Sequence, residues 1–304
     1  MTRLSVIVPA TDRPPTLERC VAAIREGLEP EDELQVVTEP AECNPGVARN
    51  HGADQTTGDV LVFVDADIEV RGDALARLRA AFEQDNALAA TFGSYDDAPG
   101  EDGVVSSFRN LLHHHVHQRS PGEATTFWTG LGAVRRTAFD AMGGFDPGLR
   151  YLEDVDLGMR LSADGYRIVL RPEIQGKHLK HWSLWEMVRT DFVGRGIPWV
   201  ELLLRHRHST GALNLGWRHR LSALAAAIGA VALVGGRIRI ALGAAVALVS
   251  LNRDFYGLLL RRLGPVRTGA GVVLHALHHL VGVAAVPIAV ARHLLSRGAE
   301  AREP

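Results

Sequence analysis

The sequence predicts an α/β fold with a mostly parallel sheet, followed by a C-terminal hydrophobic helical region. Short apolar runs alternate with helical patterns over the first part of the chain, and this alternation is typical of strands joined by crossover helices. From about residue 219, long uncharged runs replace the alternation. We therefore predict one domain over residues 1–215 and a membrane-associated region over residues 216–304.

The alternation can be followed element by element. The buried strand 59–64 is the clearest, because its apolar run leads directly into the acidic triplet Asp65-Ala66-Asp67. The other strands expected before it are 4–9 and 33–38, and the expected helices are 17–28, 47–55 and 73–84. Ligands of such sheets bind at the carboxyl ends of the strands, and the acidic triplet falls at one of these ends.

The middle of the chain has a mixed pattern. A helix over 104–118 carries four histidines, a strand is expected over 125–136, and a helix over 136–142 precedes two glycines. A further helix is predicted over 151–164, and a strand over 166–170.

The last third of the chain contains three apolar runs, 221–236, 240–251 and 269–291. A membrane span needs about 20 apolar residues, so only the third run is long enough by itself, and the first two suit a hairpin or interfacial helices. The segment 252–267 carries four arginines and is predicted to be a basic surface segment. We expect two or three membrane helices; the alternative is a soluble helical domain rich in Ala, Val and Leu.

The charge of the chain is divided between its two parts. Residues 1–204 contain 20 basic and 32 acidic residues, whereas residues 205–304 contain 13 arginines and three acids. The basic apolar part suits an anionic membrane surface better than nucleic acid, because its arginines have few aromatic neighbours. Two separated cysteines and a short N-terminal apolar run favour a reducing cytosol and argue against a signal peptide.

The acidic triplet is the first candidate for chemistry. Asp65 and Asp67 follow a buried strand and can share a divalent cation with a phosphate-bearing ligand. Mg²⁺ and Mn²⁺ prefer oxygen ligands, and a diphosphate leaving group needs its charge neutralised. A lone Asp-x-Asp pair is more often a solvated loop, so the interpretation depends on neighbouring motifs.

Two further motifs support the interpretation that Asp65 and Asp67 bind a cation and a phosphate-bearing ligand. Arg49 lies in a short helix before the acidic triplet and could contact a diphosphate or position a donor. Glu153 and Asp154 lie near the start of the predicted helix over 151–164. Asp154 could remove a proton from an acceptor hydroxyl, and Glu153 could orient the acceptor or the base. The alternative is that these acids only complement the helix dipole.

Together these motifs resemble the family 2 glycosyltransferases, which have the GT-A fold. The matching segments occur in the family's order over roughly residues 4–200. They are Ser5-Val6-Ile7-Val8-Pro9, Val47-Ala48-Arg49-Asn50 with Gly52-Ala53, the segment 58–67, Gly143-Gly144-Phe145-Asp146, and Glu153-Asp154 with Asp156-Leu157 and Arg160-Leu161. The resemblance implies an inverting transfer of a sugar from a nucleotide sugar by direct displacement.

The resemblance also implies roles for individual residues. Asp65 would touch the ribose or the sugar, Asp67 would bind the metal, and Asp154 matches the family's catalytic base. The nucleoside pocket would be lined by Pro9, Asp12 and Glu39. One departure concerns base recognition: the family's Asp-x-Ser-x-Asp pattern is replaced by Val-Thr-Glu-Pro-Ala at 37–41, where Glu39 could substitute for the missing Asp.

The histidines offer further candidates for the metal. The resemblance implies a histidine that completes the metal site or contacts the diphosphate, and His178 fits this position better than His181. Imidazole serves Mn²⁺ better than Mg²⁺, and either ion is expected as the cofactor. The cluster over 113–117 is interpreted as structural or acceptor-facing, because adjacent histidines on a helix point in different directions.

These observations predict an enzyme that uses a UDP-, GDP- or dTDP-linked sugar and acts on an acceptor hydroxyl or phosphate. Membrane attachment suggests a lipid or lipid-linked acceptor, and the catalytic domain is expected at the cell membrane, facing the cytoplasm. One alternative is a non-catalytic nucleotide-sugar-binding membrane module. A nucleotidyltransferase is a weaker alternative, because no glycine-rich loop follows the first strand.

Overall fold

The N-terminal strands and helices form where the apolar runs predict them. The computed structural model describes residues 2–41, 43–206 and 216–300. Its strands are β1 (Leu4–Pro9), β2 (Glu33–Val37), β3 (Val60–Val64), β4 (Ile68–Val70), β5 (Leu88–Tyr95), β6 (Gly122–Ala124), β7 (Leu131–Arg135) and β8 (Arg167–His178). The helices among and beside them are α1 (Leu17–Gly27), α2 (Pro45–Asp54), α3 (Ala74–Gln84), α4 (Val104–Gln118), α5 (Arg136–Ala141) and α6 (Glu153–Ala163).

Two units are distinguished by their internal packing. The first comprises Met1–Glu101 and His113–Lys180, and the second comprises Asp102–Leu112 and His181–Pro304. Residues 181–206, which the sequence assigned to the first domain, pack in the second unit. The predicted boundary between residues 215 and 216 adjoins residues 207–215, which lie outside the described residues, and it stays a prediction.

The strands belong to one sheet with the order β2-β1-β3-β7-β5-β8-β4, and β6 pairs with β8. The crossover helices α1 and α2 make β1, β2 and β3 parallel, as expected. The prediction of a mostly parallel sheet does not hold beyond them: three of the described pairings are parallel and four are antiparallel. The reason is that β4, β6 and β7 enter the sheet without helical crossovers that would preserve strand direction.

Three features of the sheet were not predicted. The strands β4 and β5 were missed, and β8 continues to His178 instead of ending at residue 170. The predicted strand 125–136 is confined to β7, with β6 before it. The extension of β8 matters most, because it brings the end of this strand to the acidic triplet.

Both faces of the central strands are covered, so β3 is buried along its whole length. On one face, alternate residues of β1 and β3 pack against α1 and α3, through side chains such as Ile24 and Phe82. On the other face, Phe63 contacts Phe139 and Phe145 with ring centroids 5.7 and 5.0 Å apart. This packing fixes the carboxyl end of β3, from which the acidic triplet extends.

Glu33 collects hydrogen bonds at the opposite edge of the sheet. Its carboxylate accepts from the Ser5 hydroxyl at 2.6 Å, from the Thr57 amide and hydroxyl at 2.7 Å each, and from the Gly58 amide at 3.2 Å. Burial opposes ionisation, but these hydrogen bonds outweigh it and lower the pKa of Glu33 from 4.5 to about 2. The ionised carboxylate therefore holds the start of β3 against β1 and β2.

Changing Glu33 to Gln is expected to lower the free energy of unfolding at pH 7 by about 1–2 kcal/mol, a value reduced for solvent screening. A lowered pKa in the folded state gives stability that is present above pH 4.5 and lost as the pH falls towards 2. Urea unfolding at several pH values should therefore show a flatter pH dependence for the variant in that window. The exposed Glu31→Gln is the control, and identical slopes for Glu33→Gln and the wild type would contradict the prediction.

The second unit is helical in its described part. It contains α7 (Leu184–Arg189), a π-helix (Thr190–Gly196), α8 (Ile197–His206), α9 (Trp217–Val234), α10 (Ile238–Leu251) and α11 (Arg253–Glu300). The three apolar runs become α9, α10 and part of α11. In the described residues, α11 over Arg253–Leu295 is the one helix long and apolar enough to cross a membrane, whereas two or three were expected.

The segment 252–267 is more than the basic surface segment that the sequence suggested. It lies almost entirely in α11, which is kinked at Gly264, and one face of this segment is buried. Phe255 and Leu259 pack with Phe108 and Met187 in a hydrophobic cluster. The four arginines lie on the other, exposed faces of the helix, so the sequence pattern indicated the basic surface but not the buried face.

A buried ion pair stabilises the π-helix in the second unit. Arg109 Nη1 lies 2.6 Å from Asp191 Oδ1, and both side chains are buried. His278 Nδ1 contacts the other carboxylate oxygen at 2.7 Å. The pair thus connects the first part of α4, the π-helix and α11.

Candidate active site at the carboxyl ends of the strands

The acidic triplet forms a tight turn between β3 and β4, in the first unit. The Asp65 amide donates to the Gly130 carbonyl at 3.1 Å, and the Asp65 carbonyl accepts from the Ile68 amide at 2.9 Å. The Thr16 hydroxyl donates to the Ala66 carbonyl at 2.9 Å. These three hydrogen bonds fix the backbone of the triplet and therefore the positions of its two carboxylates.

Asp67 lies beside His178 because of the register between β4 and β8. Ile68 pairs with His178, and the Leu179 amide donates to the Asp67 carbonyl at 2.8 Å. Asp67 Oδ2 and His178 Nε2 are 3.6 Å apart. Burial would raise the pKa of Asp67, but His178 and Lys180 outweigh it and lower that pKa, so the carboxylate is ionised.

Arg49 is buried between two carboxylates. Its Nη2 lies 2.7 Å from Asp65 Oδ1, and its Nη1 lies 2.5 Å from Glu153 Oε1. Burial alone would lower the pKa of Arg49, but Asp65, Glu153 and Asp154 raise it, so the guanidinium stays charged. Two nitrogens of the Arg49 guanidinium are already paired with carboxylates. Arg49 is therefore arranged to hold Asp65 in place rather than to contact a bound ligand directly.

The same ion pairs explain how the carboxylates titrate. Burial raises the pKa of Asp65, Arg49 opposes this, and the charge of Asp67 adds to it. Burial likewise raises the pKa of Glu153, against Arg49 and together with Asp154. Burial is therefore the main reason that both pKa values are raised; Arg49 opposes the rise, and the neighbouring carboxylates add to it.

Asp154 lies in the first turn of α6. Its Oδ2 accepts weak hydrogen bonds from the Thr129 amide at 3.3 Å and the Thr129 hydroxyl at 3.4 Å, and its Oδ1 accepts from the Val155 amide at 2.8 Å. Leu152, which immediately precedes this helix, has a left-handed backbone with φ 59°, a conformation that is costly for a residue with a Cβ.

Aromatic side chains that the sequence did not single out lie next to these acids. Tyr95, at the end of β5, stacks on the His178 ring with centroids 4.3 Å apart, and Trp128 is 5.1 Å from Tyr95. His113 packs against both Tyr95 and Trp128, and His117 is buried with its Nδ1 2.9 Å from the Gly93 carbonyl. The contacts of His113 and His117 agree with a structural role for the histidine cluster.

The residues predicted to line the nucleoside pocket lie at or just beyond the carboxyl ends of β1 and β2. Pro9 ends β1 opposite Val37 of β2, and the exposed Asp12 follows in the next turn. Glu39 is exposed and contacts Arg13 at 3.1 Å. Because β1, β2 and β3 are parallel, these residues share the edge of the sheet that carries Asp65. Their roles in binding stay predictions.

The pair formed by Asp67 and His178 fits a divalent cation. Two ligand atoms 3.6 Å apart can both reach an ion at roughly 2.1 Å, a usual metal–ligand distance. Within the described residues, no group of three or more His, Cys, Asp and Glu side chains is arranged to hold a metal. A two-ligand site suits Mg²⁺ or Mn²⁺, which take further ligands from phosphate and water.

Part of the chain matches a known protein family. Residues 31–143 match the family model Glycosyl transferase family 2. Succinoglycan biosynthesis protein ExoM of Rhizobium meliloti is 30% identical over 175 residues, which cover 56% of this chain and 55% of that protein. Pre-mycofactocin glycosyltransferase of Mycobacterium tuberculosis is 25% identical over 237 residues, covering 69% of this chain and 49% of that protein. The chain spans about half the length of these relatives.

Solved structures resemble the chain in fold. A mannosyltransferase from Pyrobaculum calidifontis, in complex with GDP-Man and Mn²⁺, gives a TM-score of 0.56 at 16% identity and covers 96% of this chain and 87% of that one. GalNAc-T7 with UDP, GalNAc and Mn²⁺ gives 0.51 at 15% identity and covers 74% and 51%. The fold is therefore the GT-A fold that the resemblance implied. Residues 31–143 therefore match glycosyltransferase family 2, and both sequence relatives named above are bacterial proteins.

Proposed function

We propose that the protein transfers a sugar from a nucleoside-diphosphate sugar to an acceptor hydroxyl or phosphate. One observation carries the proposal: Asp65, held by Arg49, and Asp67, beside His178, extend from the carboxyl end of a buried strand in a GT-A fold. An ionised carboxylate next to an imidazole can bind a divalent cation, which in turn binds a diphosphate. The matched family residues 31–143 include both aspartates and Arg49.

In this proposal, Asp67 and His178 would hold Mn²⁺ or Mg²⁺. When bound, the ion would supply positive charge beside the leaving diphosphate. The complexes of the Pyrobaculum calidifontis mannosyltransferase with GDP-Man and Mn²⁺, and of GalNAc-T7 with UDP and Mn²⁺, support a nucleotide and a divalent metal as partners. A UDP-, GDP- or dTDP-linked donor is proposed, with Pro9, Asp12 and Glu39 beside its nucleoside.

The chain's own residues then carry the reaction. Asp65 contacts the ribose or the sugar, and Arg49 and Glu153 keep it oriented through their ion pairs. Asp154 takes the proton of the acceptor hydroxyl as the oxygen attacks the anomeric carbon. The bond from that carbon to the diphosphate oxygen breaks, and the nucleoside diphosphate leaves. A single displacement inverts the configuration at the anomeric carbon.

Membrane attachment through the second unit is part of the proposal. The helices of this unit expose many large apolar side chains, a pattern typical of surfaces that meet a membrane. Examples are Val231, Val234, Leu242, Val246 and Val266. A membrane-bound transferase suits a lipid or lipid-linked acceptor. Nucleotide sugars are cytoplasmic, so the first unit is proposed to face the cytoplasm.

Nucleoside diphosphate release tests the proposal. The detergent-purified protein would be incubated with UDP-, GDP- and dTDP-sugars, membrane lipid extract, and Mn²⁺, Mg²⁺ or a chelator. We expect release from one donor that requires the metal and the lipid extract. If the folded protein released no nucleoside diphosphate from any donor in the panel, the transferase proposal would be overturned.

A further inference from the structure

A cavity of about 1020 Å³ lies in the second unit, between α9 and α10. This volume is at the upper end of the range for small-molecule sites. The two helices form an antiparallel hairpin, and at its middle a Cβ added to Gly229 would lie 3.4 Å from the Ala244 Cβ. The helices thus touch closely at one place and leave a groove beside it.

Most of the groove is apolar and open to the surroundings. Leu221, Leu224 and Ile228 of α9 and Ile240 of α10 line it. Gly243 also lines the groove, and a Cβ added there would meet no atom within 4 Å. The space above Gly243 is therefore empty of protein and can receive an apolar chain.

One end of the groove is polar and cationic. The start of α9 meets the end of α10 there, because Arg218 Nη2 donates to the Leu251 carbonyl at 2.8 Å. Arg218, Arg253 and the exposed Trp217 line this end. Asp254 lies 3.9 Å from Arg218 and 3.7 Å from Arg253, so one carboxylate is shared by two guanidinium groups. A positive charge remains at the mouth of the groove.

We infer that this groove binds a lipid whose headgroup is a phosphate. Guanidinium groups bind phosphate oxygens by charge-assisted hydrogen bonds, and the apolar walls suit a hydrocarbon tail. The 14 residues of α10 span about 21 Å, more than the roughly 15 Å of hydrocarbon in one membrane leaflet. Tryptophan is typical of the water–lipid boundary, which agrees with Trp217 beside the arginines.

The inference rests on the membrane attachment proposed above but not on sugar transfer. Its test therefore measures lipid contact rather than activity. The full chain would be reconstituted in phosphatidylcholine vesicles that contain one of two photoreactive probes. The probes are phosphatidic acid and phosphatidylcholine, each with a photoreactive acyl chain. After irradiation, mass spectrometry would locate the labelled residues. We expect phosphatidic acid to label α9 and α10 roughly tenfold more than the phosphatidylcholine probe.

Two variants make the test specific. Gly243→Phe fills the groove and should lower the phosphatidic acid label at least about fivefold, whereas the matched Gly269→Phe, on an exposed open position of α11, should not. Arg253→Gln should lower it roughly fivefold, and Arg220→Gln, which does not line the groove, should change it little. Arg253 is chosen because it is 82% exposed, so its loss leaves the fold intact.

The possible results distinguish lipid binding in the groove from membrane attachment of the chain. Equal labelling by both probes, unchanged in Gly243→Phe, would mean contact with bulk lipid only and would overturn the groove. Failure of the folded chain to enter vesicles would overturn membrane attachment and the groove together. Neither result would bear on nucleoside diphosphate release by the first unit, which is measured separately.

Discussion

Replacing Asp154 by Asn is expected to lower turnover on a hydroxyl acceptor by about 10²- to 10⁴-fold. The amide is nearly the same size and can still accept the hydrogen bonds that Thr129 gives to Asp154. It cannot take the proton that the attacking hydroxyl must lose. We therefore expect kcat to fall while the KM for the donor changes little, as initial rates at several donor concentrations would show.

The control for this prediction is Asp164→Asn, at the exposed end of the same helix. It should turn over like the wild type. A phosphate acceptor is already ionised, so Asp154→Asn should keep most of its activity with a lipid phosphate. Near-wild-type turnover of Asp154→Asn on a hydroxyl acceptor would remove the role of general base from Asp154.

Replacing Arg49 by Met is expected to lower the free energy of unfolding by about 3–5 kcal/mol. The change leaves the buried Glu153 and the partly buried Asp65 without the guanidinium that pairs with both. Burial already raises the pKa of each acid, and loss of Arg49 removes the charge that opposes this rise. Urea unfolding followed by circular dichroism would measure the loss.

The pH dependence gives this prediction a second test. A carboxyl whose folded-state pKa is raised stabilises the fold below its unfolded-state pKa, and the contribution is lost as the pH rises. The deficit of Arg49→Met should therefore shrink when the pH is lowered towards the usual carboxyl range. Adding Glu153→Gln should recover part of the stability by removing one unpaired charge.

Arg77→Met is the matched control for Arg49→Met. Arg77 pairs with Asp73 at 2.7 Å, but both side chains are largely exposed, so the change should cost less than about 0.5 kcal/mol. A loss below about 1 kcal/mol in Arg49→Met would mean that Arg49 does not hold the acids together. Its pairing with Asp65 would then not support the orientation of the donor.

The parts of the fold that follow from local pattern could be predicted from the sequence. β1 and β3 are continuous apolar runs, and α1 and α3 have apolar residues at helical spacing. The position of Asp65 and Asp67 at the end of β3 follows directly, because chain order alone places them there. The same holds for Asp154 at the start of α6.

The parts that depend on distant contacts could not be predicted in this way. β5 reads Leu-Ala-Ala-Thr-Phe-Gly-Ser-Tyr, and its alanines and glycine have little preference for strands. The pairing of Arg49 with Glu153 joins residues 104 positions apart, and no local pattern indicates it. The stacking of Tyr95 on His178 depends on β5 and β8 being neighbours in the sheet, which chain order alone does not reveal.

The proposed function depends most on one claim, that Asp67 holds a metal ion against a nucleoside diphosphate. Isothermal titration of UDP, GDP and dTDP into the wild type, with Mn²⁺ or with a chelator, tests it directly. We predict that one of them binds only with Mn²⁺, that Asp67→Asn weakens this binding at least about tenfold, and that the exposed Asp73→Asn does not. Equally tight binding with the chelator, or wild-type affinity in a folded Asp67→Asn variant, would contradict the claim.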